Sequence, residues 1–267
     1  MNFRQVHLDF HTSEKIPDVG TKFDKRQFQE ALQEGCVDSI TLFAKCHHGW
    51  SYFSSKINPR HPSLTFDLLD EQIKAAHEIG VKTPIYISAG LDEHTARAHP
   101  EWVIRREDES TTWCSRFSRP GYHRLCMNSP YLELLAQEVA EVCHRFEADG
   151  IFMDIVGVEP CYCQNCIRIL EGEGKDPYDE KNLMELAERT YKKYHDTIRK
   201  AIVLGFFKKL LRVGFYLKEK RICRFFVINQ LLNNLYLTDK FLNHRVRQMR
   251  NRAQHFLIFR DCIDKLC

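Results

Sequence analysis

The sequence predicts an α/β protein built as a partial or complete (β/α)8 barrel of the TIM type. Three observations predict it. Short apolar segments alternate with amphipathic helical segments four times, the pattern of parallel strands joined by helical crossovers. The strand segments are short and mostly apolar, as buried parallel strands are. Polar residues gather just past the strand ends, at His11, His47, His48, Trp50, Ser88 and Asp154, which is where barrels and doubly wound sheets bind ligands. A doubly wound sheet also fits the alternation. The first strand–helix turn lacks a glycine-rich phosphate fingerprint, which disfavours its dinucleotide-binding form.

Residues 5–11 alternate as a strand, and residues 24–35 read as a helix with Asp24 as N-cap and Gly35 as stop. Residues 39–46 form the second strand and 66–80 the second helix, closed by Gly80. The third strand is 82–88. A long polar stretch follows to about Asn128, with no element assigned. Ser129 caps a third helix over 130–146, residues 150–156 form the fourth strand, and a Cys-rich loop leads to a fourth helix at 182–201.

The pattern stops near Ala201. Net charge over the 267 residues is only +3, but residues 202–267 hold 14 Lys+Arg against 4 Asp+Glu, and residues 1–201 hold 25 against 32. The reading is therefore a β/α barrel domain at 1–201, covering the first four βα units, and a basic, aromatic, mainly helical tail at 202–267. The shared position of the charge swing and the lost alternation predicts a truncated or frame-shifted tail; a genuine divergent tail is the alternative. An incomplete barrel would leave the first and fourth strands with open edges and exposed apolar faces. The overall charge argues against a dedicated nucleic-acid binder, although a basic tail also suits RNA or a membrane surface.

The first ten residues carry no signal-peptide pattern, and no stretch reaches the roughly 18 apolar residues of a membrane span. The expected location is cytoplasmic. Eleven cysteines in a reducing compartment read as thiols or metal ligands rather than disulfides. Self-association into a homo-oligomer is left open.

Asp154 is the leading chemical residue. A carboxylate at a strand end between apolar neighbours has either a partner or a task. It reads as a glycosidase nucleophile or general base, or as a capping, salt-bridging Asp. Asp9 is a weaker candidate, sharing a strand face with His7 and His11 and better suited to pairing with a histidine. The segment Lys45-Cys46-His47-His48-Gly49-Trp50 offers directional hydrogen bonds beside an aromatic ring, which suits a sugar. A metal-binding or merely polar loop is the plainer reading. Cys161, Cys163 and Cys166 form C-x-C-x2-C, three ligands of a tetrahedral structural Zn, with Cys126 as the fourth and Cys114 in reserve. Three unmetalled thiols are the alternative. Tyr86, His123 and Glu159 fall near the same face. Glu159 is the only nearby carboxylate in the loop after the fourth strand, and the sequence names no acid/base for Asp154.

Two resemblances carry these residues further. Residues 44–55, with Lys45, His47 and His48, resemble a segment of the α-L-fucosidases in which a histidine pair contacts the sugar. Residues 148–154 are similar to the fourth strand of that family, whose terminal Asp is the nucleophile of a retaining hydrolase. Phe10-His11 resembles the first-strand histidine of the fucose pocket. The resemblance implies Asp154 as nucleophile, His11, His47, His48 and Trp50 as sugar contacts, and carbohydrate as substrate. Residues 122–131 with 161–166 resemble the zinc cluster of a β-galactosidase family. That family's Asn-Glu acid/base pair is replaced here by Ile155-Val156. Taken whole, residues 5–201 look like a group of hypothetical glycosyl hydrolases related to fucosidases. Two functions follow as expectations: a retaining α-L-fucosidase-type exoglycosidase, inactive if the barrel is incomplete, or a non-catalytic, zinc-stabilised carbohydrate-binding fragment.

Overall fold

A computed structural model describes residues 4–112, 118–119 and 121–219, with side chains through residue 207. Four parallel strands, β1 (Gln5–His7), β2 (Ser39–Lys45), β3 (Pro84–Ser88) and β4 (Gly150–Asp154), lie in the order β1-β2-β3-β4. That order separates the two candidate folds. A doubly wound sheet reverses its order at a switch point, whereas each strand here adds on the same side as the last, as in a barrel.

Curvature supports the same conclusion. β1 and β4 have two strands between them, which would hold them roughly 14 Å apart in a flat sheet. Yet the rings of His7 on β1 and Phe152 on β4 have centroids 5.4 Å apart. Phe43 and Tyr86 fill the space between, stacked at 4.0 Å, with Tyr86 stacked on Phe152 at 5.7 Å. The sheet therefore curls around an aromatic layer contributed by all four strands. Tyr86 pairs in register with Phe152, and Ser88 with Asp154 two residues later, so the same inner face carries aromatic rings below and polar groups above.

Six helices are described: α1 (Lys25–Glu34), α2 (Leu68–Glu78), α3 (Glu93–Ala98), α4 (Tyr131–Arg145), α5 (Gln164–Gly172) and α6 (Glu180–Glu219). Asp24 caps α1 as expected, accepting from the Gln27 N–H at 2.7 Å. On α2, Leu69, Ile73 and Ala76 form the buried stripe; on α4, Leu132, Leu135, Val139 and Val142 do. Each such leucine contributes about 1.5–3 kcal/mol by leaving water. Ser129 sits one residue before the helix cap but still accepts from the Tyr131 N–H at 3.2 Å. The Tyr131 hydroxyl reaches inward to donate to Ala89 O at 2.8 Å, tying α4 to the end of β3.

Several sequence expectations change. The first strand is shorter than 5–11, because only Gln5–His7 pair with Ser39–Thr41, after which β2 turns to β3. The polar stretch after β3 contains α3 and a 3-10 turn, Pro100–Trp102, and the Cys-rich loop contains α5. These elements are too short for periodicity to reveal. The fourth helix does not end at 201: α6 continues through Ile202 to Glu219, so the charge swing falls inside a helix. The chain divides into two units, Met1–Lys209 and Leu210–Cys267. The part of the predicted tail from 220 onward lies outside the described residues, as does Cys114.

Among the described residues β1 and β4 each pair on one side only. β2 is buried throughout, whereas β4 is only partly covered, with Phe152 42% exposed. No described helix is long and apolar enough to cross a membrane.

Candidate active site at the strand ends

Asp154 closes β4, and three elements fix its position. Its Oδ1 accepts from the Ile155 N–H at 2.8 Å, and its Oδ2 accepts from the Tyr86 hydroxyl at 2.7 Å. Its main-chain carbonyl accepts from the N–H groups of Ala89 and Gly90, at 3.2 and 3.1 Å. The approach at Gly90 is so close that a Cβ there would stand 1.7 Å from Ile155 O. Ile155 itself takes φ 55°, an expensive conformation for a β-branched residue. The turn after β4 is thus held in a strained shape by its neighbours, with the carboxylate 31% exposed at the inner face.

His47 lies beside it, with Nε2 3.9 Å from Asp154 Oδ2. Ser88 Oγ donates to Leu91 O at 2.5 Å, so its contact with His47 Nδ1 at 2.6 Å requires that Nδ1 carry the proton and donate. That leaves Nε2 with a lone pair facing the carboxylate. Burial, reinforced by the neighbouring His11, pulls the His47 imidazole down to about 4 despite the attraction of Asp154. His47 is therefore neutral at neutral pH. Two acceptors 3.9 Å apart call for a donor between them, and a hydroxyl group supplies one.

His11 stacks on His47 at 4.0 Å and 21°. Its Nδ1 accepts from the His47 main-chain N–H at 3.2 Å, which puts its proton on Nε2, 3.7 Å from Asp9 Oδ1. Asp9 also meets His7 Nε2 at 3.1 Å, the histidine pairing expected from sequence. Burial lowers the pKa of His11 and of His48. His48 Nε2 lies 3.0 Å from the Tyr122 hydroxyl. The structure thus gathers His11, His47, Tyr86 and Asp154 directly, with His48 one turn away.

Trp50 and Glu159 stand differently. Trp50 packs on His94 at 4.7 Å and edge-on to His61 at 6.3 Å, and its indole helps to lower the pKa of Glu14. Glu159 forms an ion pair with Arg124, whose other amino group donates to Ile155 O at 3.2 Å. His123 is fully buried against Glu93, with Nδ1 2.7 Å from its carboxylate. Sequence reasoning missed Glu14 and Tyr122 as neighbours of the histidines. Neither lies at a strand end, so no pattern marks them.

The four predicted cysteines do come together. Cys126, Cys161, Cys163 and Cys166 are all buried, and their sulfurs lie within 4.8 Å of one another, with Cys126 and Cys166 at 3.5 Å. A tetrahedral zinc–thiolate site holds its sulfurs about 3.8 Å apart, given Zn–S bonds of about 2.3 Å. The surroundings suit thiolates: Asn128 N–H donates to Cys126, Cys163 N–H to Cys161, and Asn128 Nδ2 to Cys166, each at 3.4 Å. Cys163 also occupies the position just before α5, where the helix favours negative charge. Hydrogen bonds from the other three thiols draw the Cys163 thiol far down, while those same contacts push Cys126 up. Four sulfurs crowded around one negative charge could hold a metal ion. Cys126 follows β3 and the other three follow β4, so the cluster clips together the two loops that flank Asp154. A cleft lined by Gly90, Ile155, Glu159, Cys126 and Tyr191 lies beside this clip; Asp154 and the three histidines do not line it.

Comparison with known proteins accords with this geometry. Residues 24–155 match the family described as hypothetical glycosyl hydrolase 6. The chain is similar to α-L-fucosidase isoenzyme 2 from Paenibacillus thiaminolyticus, with 52% identity and a TM-score of 0.75 over 76% of this chain and 31% of that one. It also aligns with the α-fucosidase of Thermotoga maritima in complex with fucose, at 20% identity and TM-score 0.38, over 69% of this chain and 37% of that one. No curated protein matches. The chain spans about a third of the length of the Paenibacillus enzyme. The expected resemblance is borne out: the chain is glycosyl-hydrolase-like and structurally close to an α-L-fucosidase.

Proposed function

We propose that this chain provides the fucoside-binding and nucleophilic half of a retaining α-L-fucosidase-type exoglycosidase. The observation that carries the reading is the pairing of Asp154 Oδ2 with the neutral His47 Nε2, 3.9 Å apart above an aromatic floor. A sugar hydroxyl donates into that gap, while the stacked His11 and the outlying His48 hold further hydroxyls. Asp154 attacks the anomeric carbon, forming a glycosyl ester as the leaving oxygen takes a proton. Water then cleaves the ester, so the configuration is retained. Retention requires a second carboxyl group roughly 5 Å from the first. Glu159, the carboxylate in the loop after β4, is engaged by Arg124, and we read it as a brace for that loop. That engagement favours a second reading, carbohydrate binding without turnover.

Aryl α-L-fucosides separate the two. On the enzymatic reading the full chain releases the aryl alcohol, and Asp154→Asn lowers kcat at least about 10³-fold, a loss of the size seen when a nucleophile is removed. Saturable binding of L-fucose without release of aryl alcohol supports the binding reading, and unchanged turnover in Asp154→Asn would falsify the assignment of the nucleophile.

The four cysteines are proposed to hold one structural Zn²⁺. With all four positions taken by sulfur, no water reaches the metal, so its work is to fix the loops after β3 and β4. Elemental analysis is expected to give one equivalent per chain, lost in Cys163→Ser. A metal content near zero in protein purified under reducing, chelator-free conditions would remove the proposal.

A further inference from the structure

The residue before the Cys46-His47-His48 turn is a lysine buried as deeply as the core. Lys45 is 3% exposed, and its ammonium is shared by two carboxylates, Asp92 Oδ2 at 2.9 Å and Glu138 Oε2 at 2.6 Å. Burying charged groups in this way is costly, and such clusters often stabilise less than apolar replacements would. Stability alone therefore gives no reason for a lysine here, and its partners show what the charge holds.

Asp92 is fully buried and caps α3, its Oδ1 accepting from the Thr95 N–H at 2.8 Å. The next two N–H groups of that helix do not point to solvent. Glu93 N–H donates to His47 O at 3.0 Å, and His94 N–H donates to His48 O at 3.1 Å. The start of α3 thus grips the backbone of both histidines. Gly49 completes the contact: it takes φ +89°, and a Cβ on it would stand 2.2 Å from Asp92 Oδ1. The path is continuous, from Glu138 on α4 through Lys45 on β2 and Asp92 at the head of α3 to the main chain of His47 and His48.

We infer that Lys45 is a positioning residue, whose ammonium, anchored by Glu138, sets Asp92 and through α3 the placement of the His47–His48 pair. The kinetic part of this inference rests on the fucosidase reading; the geometric part does not. The charge cannot be replaced by an apolar side chain of equal volume without releasing Asp92, and α3 then loses its fixed distance from the turn. A role in packing alone would leave both imidazoles where they are in any variant that folds.

Histidine-selective NMR on the full chain tests this. In Lys45→Met, with secondary structure preserved by circular dichroism, the His47 and His48 ring resonances and their titration midpoints are expected to move. His77, bound to Asp149 at 3.0 Å across the opposite end of the sheet, serves as the fixed reference. Should Lys45→Met fail to fold, Lys45→Met/Glu138→Met removes two opposite buried charges together and still leaves Asp92 without its anchor; the same shifts are expected. With aryl α-L-fucosides, KM is expected to rise about ten-fold with kcat within about threefold, because the misplaced groups bind ground state and transition state alike. Unmoved His47 and His48 signals in a folded variant overturn the inference, and so does loss of folding in both variants, which would assign the triad to the core. A wild-type chain that neither binds nor cleaves fucosides refutes the fucosidase reading alone and leaves the NMR outcome decisive.

Discussion

At the scale of single residues the site is defined by which nitrogen carries a proton. Ser88 spends its hydroxyl hydrogen on Leu91, so His47 donates through Nδ1 and faces Asp154 with a lone pair. Protonating His47 would turn that acceptor into a donor and fill the gap meant for a sugar hydroxyl. Because burial holds the imidazole near 4, fucoside affinity is expected to stay level from pH 8 to about 5 and to fall as the pH drops through about 4. Titration calorimetry with L-fucose across that range checks this; a loss centred near 6.5, the ordinary histidine value, would contradict it. Tyr86→Phe removes the hydroxyl that donates to Asp154 Oδ2. Hydrogen bonds to charged groups contribute about 1.5–3 kcal/mol, so kcat/KM is expected to fall by about one to two orders of magnitude.

At the scale of elements, the ends of β3 and β4 behave as one unit. Main-chain bonds join Ala89 and Gly90 to Asp154, and the cysteine clip joins the loops beyond. Gly90→Ala inserts a methyl where Ile155 O already lies 1.7 Å from the ideal Cβ position. The strands must part or the turn must rotate. Overpacking of this kind costs about 1–3 kcal/mol. The midpoint of urea unfolding is expected to fall accordingly, with fucoside cleavage lost even where the chain remains folded. An unaltered midpoint with full activity would show that the two loops are not coupled as described.

At the scale of the whole molecule, two buried groups oppose each other in pH dependence. The folded state holds His47 neutral down to about 4, against an ordinary value near 6.5. Between those values the unfolded chain binds the extra proton, so stability rises with pH through that window. Glu138 runs the other way. Desolvation, opposed by Lys45 and reinforced by Asp92, pushes its carboxyl up to about 7 from 4.5. There the folded state binds the extra proton, and stability falls as pH rises from about 4.5 to about 7. The two windows overlap and their slopes offset. Glu138→Gln removes that falling slope, so the stability of the variant relative to the parent is expected to climb by up to about 3 kcal/mol between pH 4.5 and pH 7. Urea unfolding at half-unit pH steps reads the difference; parallel curves for the two proteins would refute the offset.

The alternation of strands and helices, the clustering of polar groups at strand ends and the C-x-C-x2-C spacing are legible in the sequence alone. Each of these follows from a local period or spacing that needs no tertiary information. Asp154 was legible because it ends a strand, and His11 and His47 because they follow strands whose direction the alternation already fixes; Tyr86 lies within β3 and fell near the same face. Other features were decided only in three dimensions. The choice of a barrel over an open sheet came from strand order and curl. α3 and α5 are too short for their periodicity to stand out, and α6 passes through the change of charge at Ile202 because a helix follows backbone hydrogen bonding, not net charge. Lys45 read as part of a polar motif, yet its partners lie 47 and 93 residues away, at Asp92 and Glu138. A buried charge is intelligible only with its partners, and chain folding, not sequence adjacency, brings partners at that separation together.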